Sequence, residues 1–407
     1  MQIRVPSSPG GNERTAALSA LFDEVKKHVP SYRELKEKQP YPADGRIRAI
    51  SYTGENCGGR QTEVFAYLGF PENAGPETPV PAMVLIHGGG GHAYASWVRR
   101  WVDRGYAAVS FDGFGQIYGP EGYSDRNEDW ILYPASHMPM DGLSTTEKPF
   151  PAQWYYHYVA DAILAHNLLR ADPRVKTADV GVTGISWGGF CCSTLICYDD
   201  RFAFAAPVYG CGFLDRNTTV WGRCFGGPGI SDTWDGSLLL ENVTMPVLFV
   251  NRDDDPFFCA TATAASAAAA RNGAPLLISG LGHSQDDGSV IPEIFRFADE
   301  TCGRGPGNPV ITDVTMEEGR AILSFTLPAD ADDPRAFVYY RAAPLEYEED
   351  KLKEPWLRGQ GRVEDGRASV EIPEDAAMCY FIVTCKAGTP DAPETLHAGT
   401  GIYVTEE

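Results

Sequence analysis

What most restricts the fold of this chain is a recurring set of short apolar runs between residues 82 and 280. They read AMVLIH (82–87), AAVSFD (107–112), VGVTGIS (180–186), AFAAPVY (203–209), PVLFVN (246–251) and PLLISG (275–280). A strand with no polar face must be covered on both sides, which is the situation of strands inside a parallel sheet. Helical periodicity lies between the runs, most plainly from Ala152 to Arg170, where Tyr155, Tyr158, Val159, Ala162 and Ile163 share one face until ADP stops the pattern. Strand and helix in alternation predict a doubly wound, mostly parallel α/β sheet.

The flanks differ. RIRAISYT and TEVFAYLGFP, separated by the turn-rich GENCGGRQ, predict an antiparallel entry hairpin. Nearer the start, TAALSALFDEVKKHVPSYRELK has apolar residues near helical spacing and reads as an amphipathic helix lying on the next domain. Beyond CGRGPGNP (302–309) the helical pattern ends, and short strand-like runs such as RAILSFTLP and MCYFIVTCKAG alternate with turns, predicting a small β-sandwich of immunoglobulin or fibronectin type. The expected divisions are a helical cover over 1–44, an α/β domain over 45–302, a linker over 303–309 and a sandwich over 310–407. Two aromatic stretches, 113–150 and 211–243, interrupt the alternation. Aperiodic loops longer than about 15 residues are functional lids or disordered, and aromatic content argues against disorder, so both are expected to be pocket walls.

Charge removes several classes of partner. Asp and Glu total 55 against 34 Lys and Arg, a formal charge of −21 that repels nucleic acid and anionic membrane surfaces. The basic stretch EVKKHVPSYRELKEK interleaves acids and aromatics, as a solvated helix face does. No run approaches the roughly 18 apolar residues of a membrane span, and MQIRVPSSPGGNERT has no apolar signal core, so a cytoplasmic location is expected. The ten cysteines, with Cys191 beside Cys192 and others in apolar runs, suit buried reduced thiols better than a disulfide framework. No C-x-x-C pair with zinc spacing occurs, and neither a metal nor a cofactor is expected.

Chemistry concentrates around GISWGG (184–189), where Gly184, Ser186 and Gly188 fit G-x-S-x-G between the run 180–186 and a helix candidate. A serine hydroxyl attacks only when an imidazole takes its proton, a carboxylate fixes the imidazole and N–H groups stabilise the oxyanion. The glycine run in IHGGGGHA offers Gly89 and Gly90 as such donors beside the N–H of Trp187, because glycine lets a backbone approach a substrate oxygen. For the base, His283 follows the last sheet strand, whereas His28, His157 and His166 lie on helices and His397 in the sandwich. His87, His92 and His137 are placed to line a pocket, as are Trp130, Trp221 and Trp234, although aromatics there more often serve plain packing. The run PVLFVN ends in RDDDPFF, leaving Asp253, Asp254 and Asp255 as acids.

With GISWGG, RFAFAAPVYGCGF, PVLFVNRDDDPFF and LGHSQ in that order, residues 45–302 resemble the α/β-hydrolases. Within them the chain is similar to the group spanning acetyl xylan esterases, dienelactone-hydrolase-like and prolyl-oligopeptidase-like catalytic domains, and looks most like bacterial acetyl-xylan-esterase-like hydrolases. The resemblance implies the order Ser, acid, His, each at a strand end, and so Ser186 as nucleophile and His283 as base. It also implies a G-x-x-D turn, which laid on Arg252 to Asp255 makes Asp255 the acid; Arg252 stands at the glycine position, which keeps Asp254 as the runner-up. The implied reaction is hydrolysis of a short-chain acyl ester, such as an acetyl ester of a carbohydrate or small molecule, through an acyl-enzyme. A prolyl-oligopeptidase-like peptidase is the alternative, but its β-propeller needs several four-stranded blades and only about 45 residues precede the first strand. A non-catalytic binding protein on the same scaffold is a further alternative, weakened by the complete Ser, Asp and His set. The sandwich is a candidate binding element, structural brace or homo-oligomer contact.

Overall fold

Strands apolar on both faces need helices on both, and this sheet has them. The computed structural model describes residues 2–3, 8–41, 43–115, 117–119, 122–124, 146–343, 355–389 and 392–404. Its central sheet consists of β1 (Tyr32–Glu34), β2 (Ile47–Cys57), β3 (Arg60–Gly69), β4 (Val80–Ile86), β5 (Ala107–Phe111), β6 (Val175–Ile185), β7 (Phe204–Val208), β8 (Val247–Asn251) and β9 (Gly273–Leu277). Their spatial order is β9, β8, β7, β6, β4, β5, β3, β2, β1. Strands β4 to β9 pair in parallel, and β3, β2 and β1 close one side antiparallel. The expected entry hairpin is the β2–β3 pair.

Pleating sends alternate side chains to opposite faces, so Val84 and Ile86 enter one core cluster while Met83 and Leu85 enter the other. Helices α1 (Glu13–Val25), α3 (Trp154–Ala171), α4 (Trp187–Leu195) and α5 (Ala260–Ala269) supply the first face; α2 (Ala95–Asp103) and α6 (Pro292–Thr301) supply the second. Helix α3 is buried almost all round, because α1 lies over its outer side. There Phe22 stacks on Tyr156 at 5.3 Å, and the Asn167 amide donates to the Val25 carbonyl at 3.0 Å.

Three expectations change here. The first helix ends at Val25 rather than running to Lys36: Pro30 has no N–H to continue it, and the chain turns into β1. The stretch 211–243 is not aperiodic; it holds 3₁₀ turns at Leu214–Arg216, Gly236–Leu238 and Leu240–Asn242 and a short helix at Val220–Phe225. The cover expected over residues 1–44 is also not purely helical, since Gln2–Ile3 pairs antiparallel with Tyr403–Val404.

Beyond Pro309 every described regular element is a strand. One antiparallel sheet contains Val310–Glu317, Arg320–Thr326, Arg367–Glu371 and Arg362–Glu364, and the other is built on Asp332–Arg341 and Met378–Thr389. Leu323, Phe325 and Val370 of the first pack against Val338, Phe381 and Val383 of the second, which makes the pair a sandwich. All ten cysteines are free thiols. No helix among the described residues is long and apolar enough to cross a membrane.

Candidate active site

The C-terminal ends of β4, β6, β8 and β9 converge, and the loops leaving them carry the polar groups singled out above, as is general for crevices in open α/β sheets. Strand β6 ends at Ile185 and α4 starts at Trp187, so the reversal falls on Ser186, whose φ of 56° and ψ of −116° lie where a side chain is strained. The turn is pinned: Ser186 donates its N–H to Val208 at 2.7 Å, and Phe190 donates to the Ser186 carbonyl at 3.0 Å. The flanking glycines are dictated by backbone. A Cβ on Gly184 would sit 2.0 Å from the Gly188 carbonyl oxygen, and one on Gly188 would sit 2.1 Å from that of Ile86.

The loop after β8 gives each of its three aspartates a different partner. Asp255 is 1 % exposed, accepts the N–H groups of Phe257 and Phe258 at 2.8 Å each, and turns its other oxygen to His283 Nδ1 at 2.5 Å. Asp254 lies at the surface against Arg252 at 2.7 Å, and Asp253 is buried against Tyr380. His283 Nε2 stands 2.8 Å from Ser186 Oγ, completing a contiguous Ser186–His283–Asp255 chain. The imidazole is held between the rings of Tyr209, 4.7 Å away, and Phe257, 4.8 Å away.

Gly88 to Gly91 curve over Ser186 and, with Tyr94, Ile185, His283, Ser284 and Gln285, line a cavity of about 220 Å³. Gly89 and Gly90 therefore lie on its wall. Trp187 occupies the first position of α4, where a backbone N–H has no acceptor within the helix. Beneath the glycine loop, the Gly113 N–H donates to His87 Nε2 at 3.0 Å, which leaves Nδ1 carrying the proton donated to the Gly88 carbonyl at 2.8 Å. Tyr158 OH donates to the His87 carbonyl at 2.6 Å. Burial drives the His87 pKa down to about 3, so this ring is a neutral strut.

The remaining pocket candidates scatter. His92 is half-buried, stacks on Tyr94 at 4.0 Å, and is shifted down by burial. Trp221 stacks on Phe257 at 5.2 Å, one ring removed from His283. Trp234 is 0 % exposed and donates its indole N–H to Gln153 at 3.1 Å, so it is core rather than pocket wall; composition alone does not separate the two. Trp130 and His137 lie outside the described residues. The bracing role of His87 and the ring contact of Phe257 were not anticipated, though both adjoin recognised motifs, HGGGG and DDDPFF. Among the described residues, no group of three or more His, Cys, Asp or Glu side chains is arranged to hold a metal ion.

Comparison with known proteins points the same way for fold and family. The model of the dienelactone hydrolase family matches residues 64–279, just over half of the chain. An acetyl xylan esterase from Paenibacillus sp. R4 superposes with a TM-score of 0.55 at 17 % identity, covering 72 % of this chain and 96 % of the other. Acetyl xylan esterase 1 from Thermoanaerobacterium sp. JW/SL YS485 superposes with a TM-score of 0.56 at 14 % identity, covering 73 % of this chain and 96 % of its own. At such identities these likenesses concern the fold. No curated protein sequence matches the chain.

Proposed function

Since the chain belongs to the dienelactone hydrolase family, whose members are esterase-type hydrolases, we propose that it is a serine esterase releasing a short acyl group, acetyl above all, from a carbohydrate or small-molecule ester. The observation that carries this reading is the Ser186 Oγ to His283 Nε2 contact of 2.8 Å together with the His283 Nδ1 to Asp255 contact of 2.5 Å. A carboxylate accepts, so His283 donates through Nδ1 and keeps Nε2 free to take the serine proton. Ser186 Oγ attacks the ester carbonyl as that proton moves to Nε2. The oxyanion is met by the N–H of Trp187, at the positive end of α4, and by those of Gly89 and Gly90. His283 then hands the proton to the leaving alkoxide, and water, activated by the same nitrogen, hydrolyses the acyl-enzyme and restores Ser186.

The cavity of about 220 Å³ beside Ser186, walled by the glycine loop and Ile185, has room for an acetyl group at the serine. An acetylated sugar as the alcohol part accords with the activity named for both solved neighbours. Ser186→Ala is expected to abolish hydrolysis of p-nitrophenyl acetate while leaving the unfolding midpoint intact. A variant that turns over at the parental rate contradicts the reading.

A further inference from the structure

The sandwich is seated on the loops that carry the acid and the base. Trp356 donates its indole N–H to the Asp253 carbonyl at 2.9 Å, and Tyr380 donates its phenol to the Asp253 carboxylate at 2.8 Å. All three residues are buried. Tyr380 is itself held face-on by Tyr339 at 5.0 Å and edge-on by Trp356 at 5.0 Å. Around this pair, one apolar cluster joins Trp356, Met378, Tyr380 and Ile402 of the sandwich to Ala260 and Ala264 of α5, which follows the acid loop, and to Leu277, which ends β9 ahead of His283. Ser279, on the way to His283, also hydrogen-bonds the Asp253 carboxylate.

A buried carboxylate is tolerated only with its lone pairs satisfied, so the position of Asp253 is set by the groups that donate to it. Those groups come from the sandwich and from the His283 loop. Asp253 lies two residues before Asp255, too close along the chain for its peptide to shift without moving the acid. Burial pushes the Asp253 carboxyl up, and the Tyr380 hydroxyl acts against that rise. We infer that the C-terminal sandwich is a positioning element of the active site, with Tyr380 and Trp356 clasping Asp253 so that Asp255 and His283 stay in register. This inference rests on the Ser186, His283 and Asp255 reading given above.

The test compares Tyr380→Phe, which removes one hydroxyl, with His397→Ala, which breaks a different contact between the sandwich and α6, the His397–Glu293 pair at 2.6 Å. Because misplacement of a reacting group by an ångström can cost about a hundredfold, loss of one clasping bond, a smaller displacement, is expected to lower kcat on p-nitrophenyl acetate about tenfold with KM little changed. His397→Ala is expected to lower the unfolding midpoint and leave kcat unchanged. Parental kcat in Tyr380→Phe overturns the inference, and so does an equal fall in both variants, which would indicate generic loosening of the two units. Ser186→Ala run alongside separates the two readings. If it is inactive while Tyr380→Phe is unaffected, the clasp fails and the triad stands; if it is active, the site itself has been misread.

Discussion

At the scale of single residues, two histidines of this chain are put to opposite uses by their surroundings. His283 has a carboxylate on one nitrogen and a hydroxyl on the other, 12 % of its side chain reaching solvent. His87 has two backbone partners and no solvent at all, and its pKa falls to about 3. An unfolded imidazole titrates near pH 6.5, so between about pH 3 and 6.5 the unfolded chain binds the proton that the folded chain refuses. The resulting stability is fully present above about pH 6.5 and is lost as pH falls toward the folded value. His157, lowered to about 4 by burial, acts in the same direction. The ring resonances of His87 are thus expected not to titrate between about pH 8 and about pH 5, while the unfolding midpoint drops over the lower half of that range. A His87 titration centred near 6.5 contradicts the buried-strut assignment. That Ser186 and His283 stood out in the sequence follows from the glycines and strand ends around them; the sorting of Asp253, Asp254 and Asp255 among three partners depends on loop geometry that identical neighbours conceal.

At the scale of elements, legibility followed locality. Strands β4 to β9 were readable because burial on both faces writes itself into composition, and α3 because its period is regular. The end of α1 was less so: the apolar period continues past Val25, but Pro30 breaks it and the chain is recruited into β1 by pairing with β2. Leu18, Phe22 and Val25 are what α1 contributes to the core. Phe22, at 5.3 Å from Tyr156 and 5.2 Å from Tyr198, anchors the helix on α3 and the turn that follows α4. Phe22→Ala is expected to cost about 3 to 5 kcal/mol in urea unfolding, with esterase turnover unchanged because α1 contributes nothing to the Ser186 cavity. Loss below about 1 kcal/mol would show α1 to be a loosely held cover.

At the scale of the whole molecule, the chain is an α/β sheet seated on a β-sandwich through Asp253, α5 and the end of β9, and the seat is what sequence reading could not supply. Contacts such as Tyr380 to Asp253, or Gln2–Ile3 to Tyr403–Val404, join residues far apart in the chain through pairs that carry no periodicity. The sandwich could be counted in strands but not docked. The proposed function places the esterase-type chemistry at the turn at Ser186, where strain, glycine packing and a histidine at 2.8 Å meet. The most direct test of that proposal is covalent: reaction with a diethyl p-nitrophenyl phosphate probe, peptide mapping by mass spectrometry, and residual esterase activity measured on the same sample. A phosphoryl group on the peptide bearing Ser186, rising in step with loss of p-nitrophenyl acetate hydrolysis, is the expected result. Full activity in the labelled protein, or inactivation with the label on another residue, would contradict the assignment of Ser186 as the nucleophile.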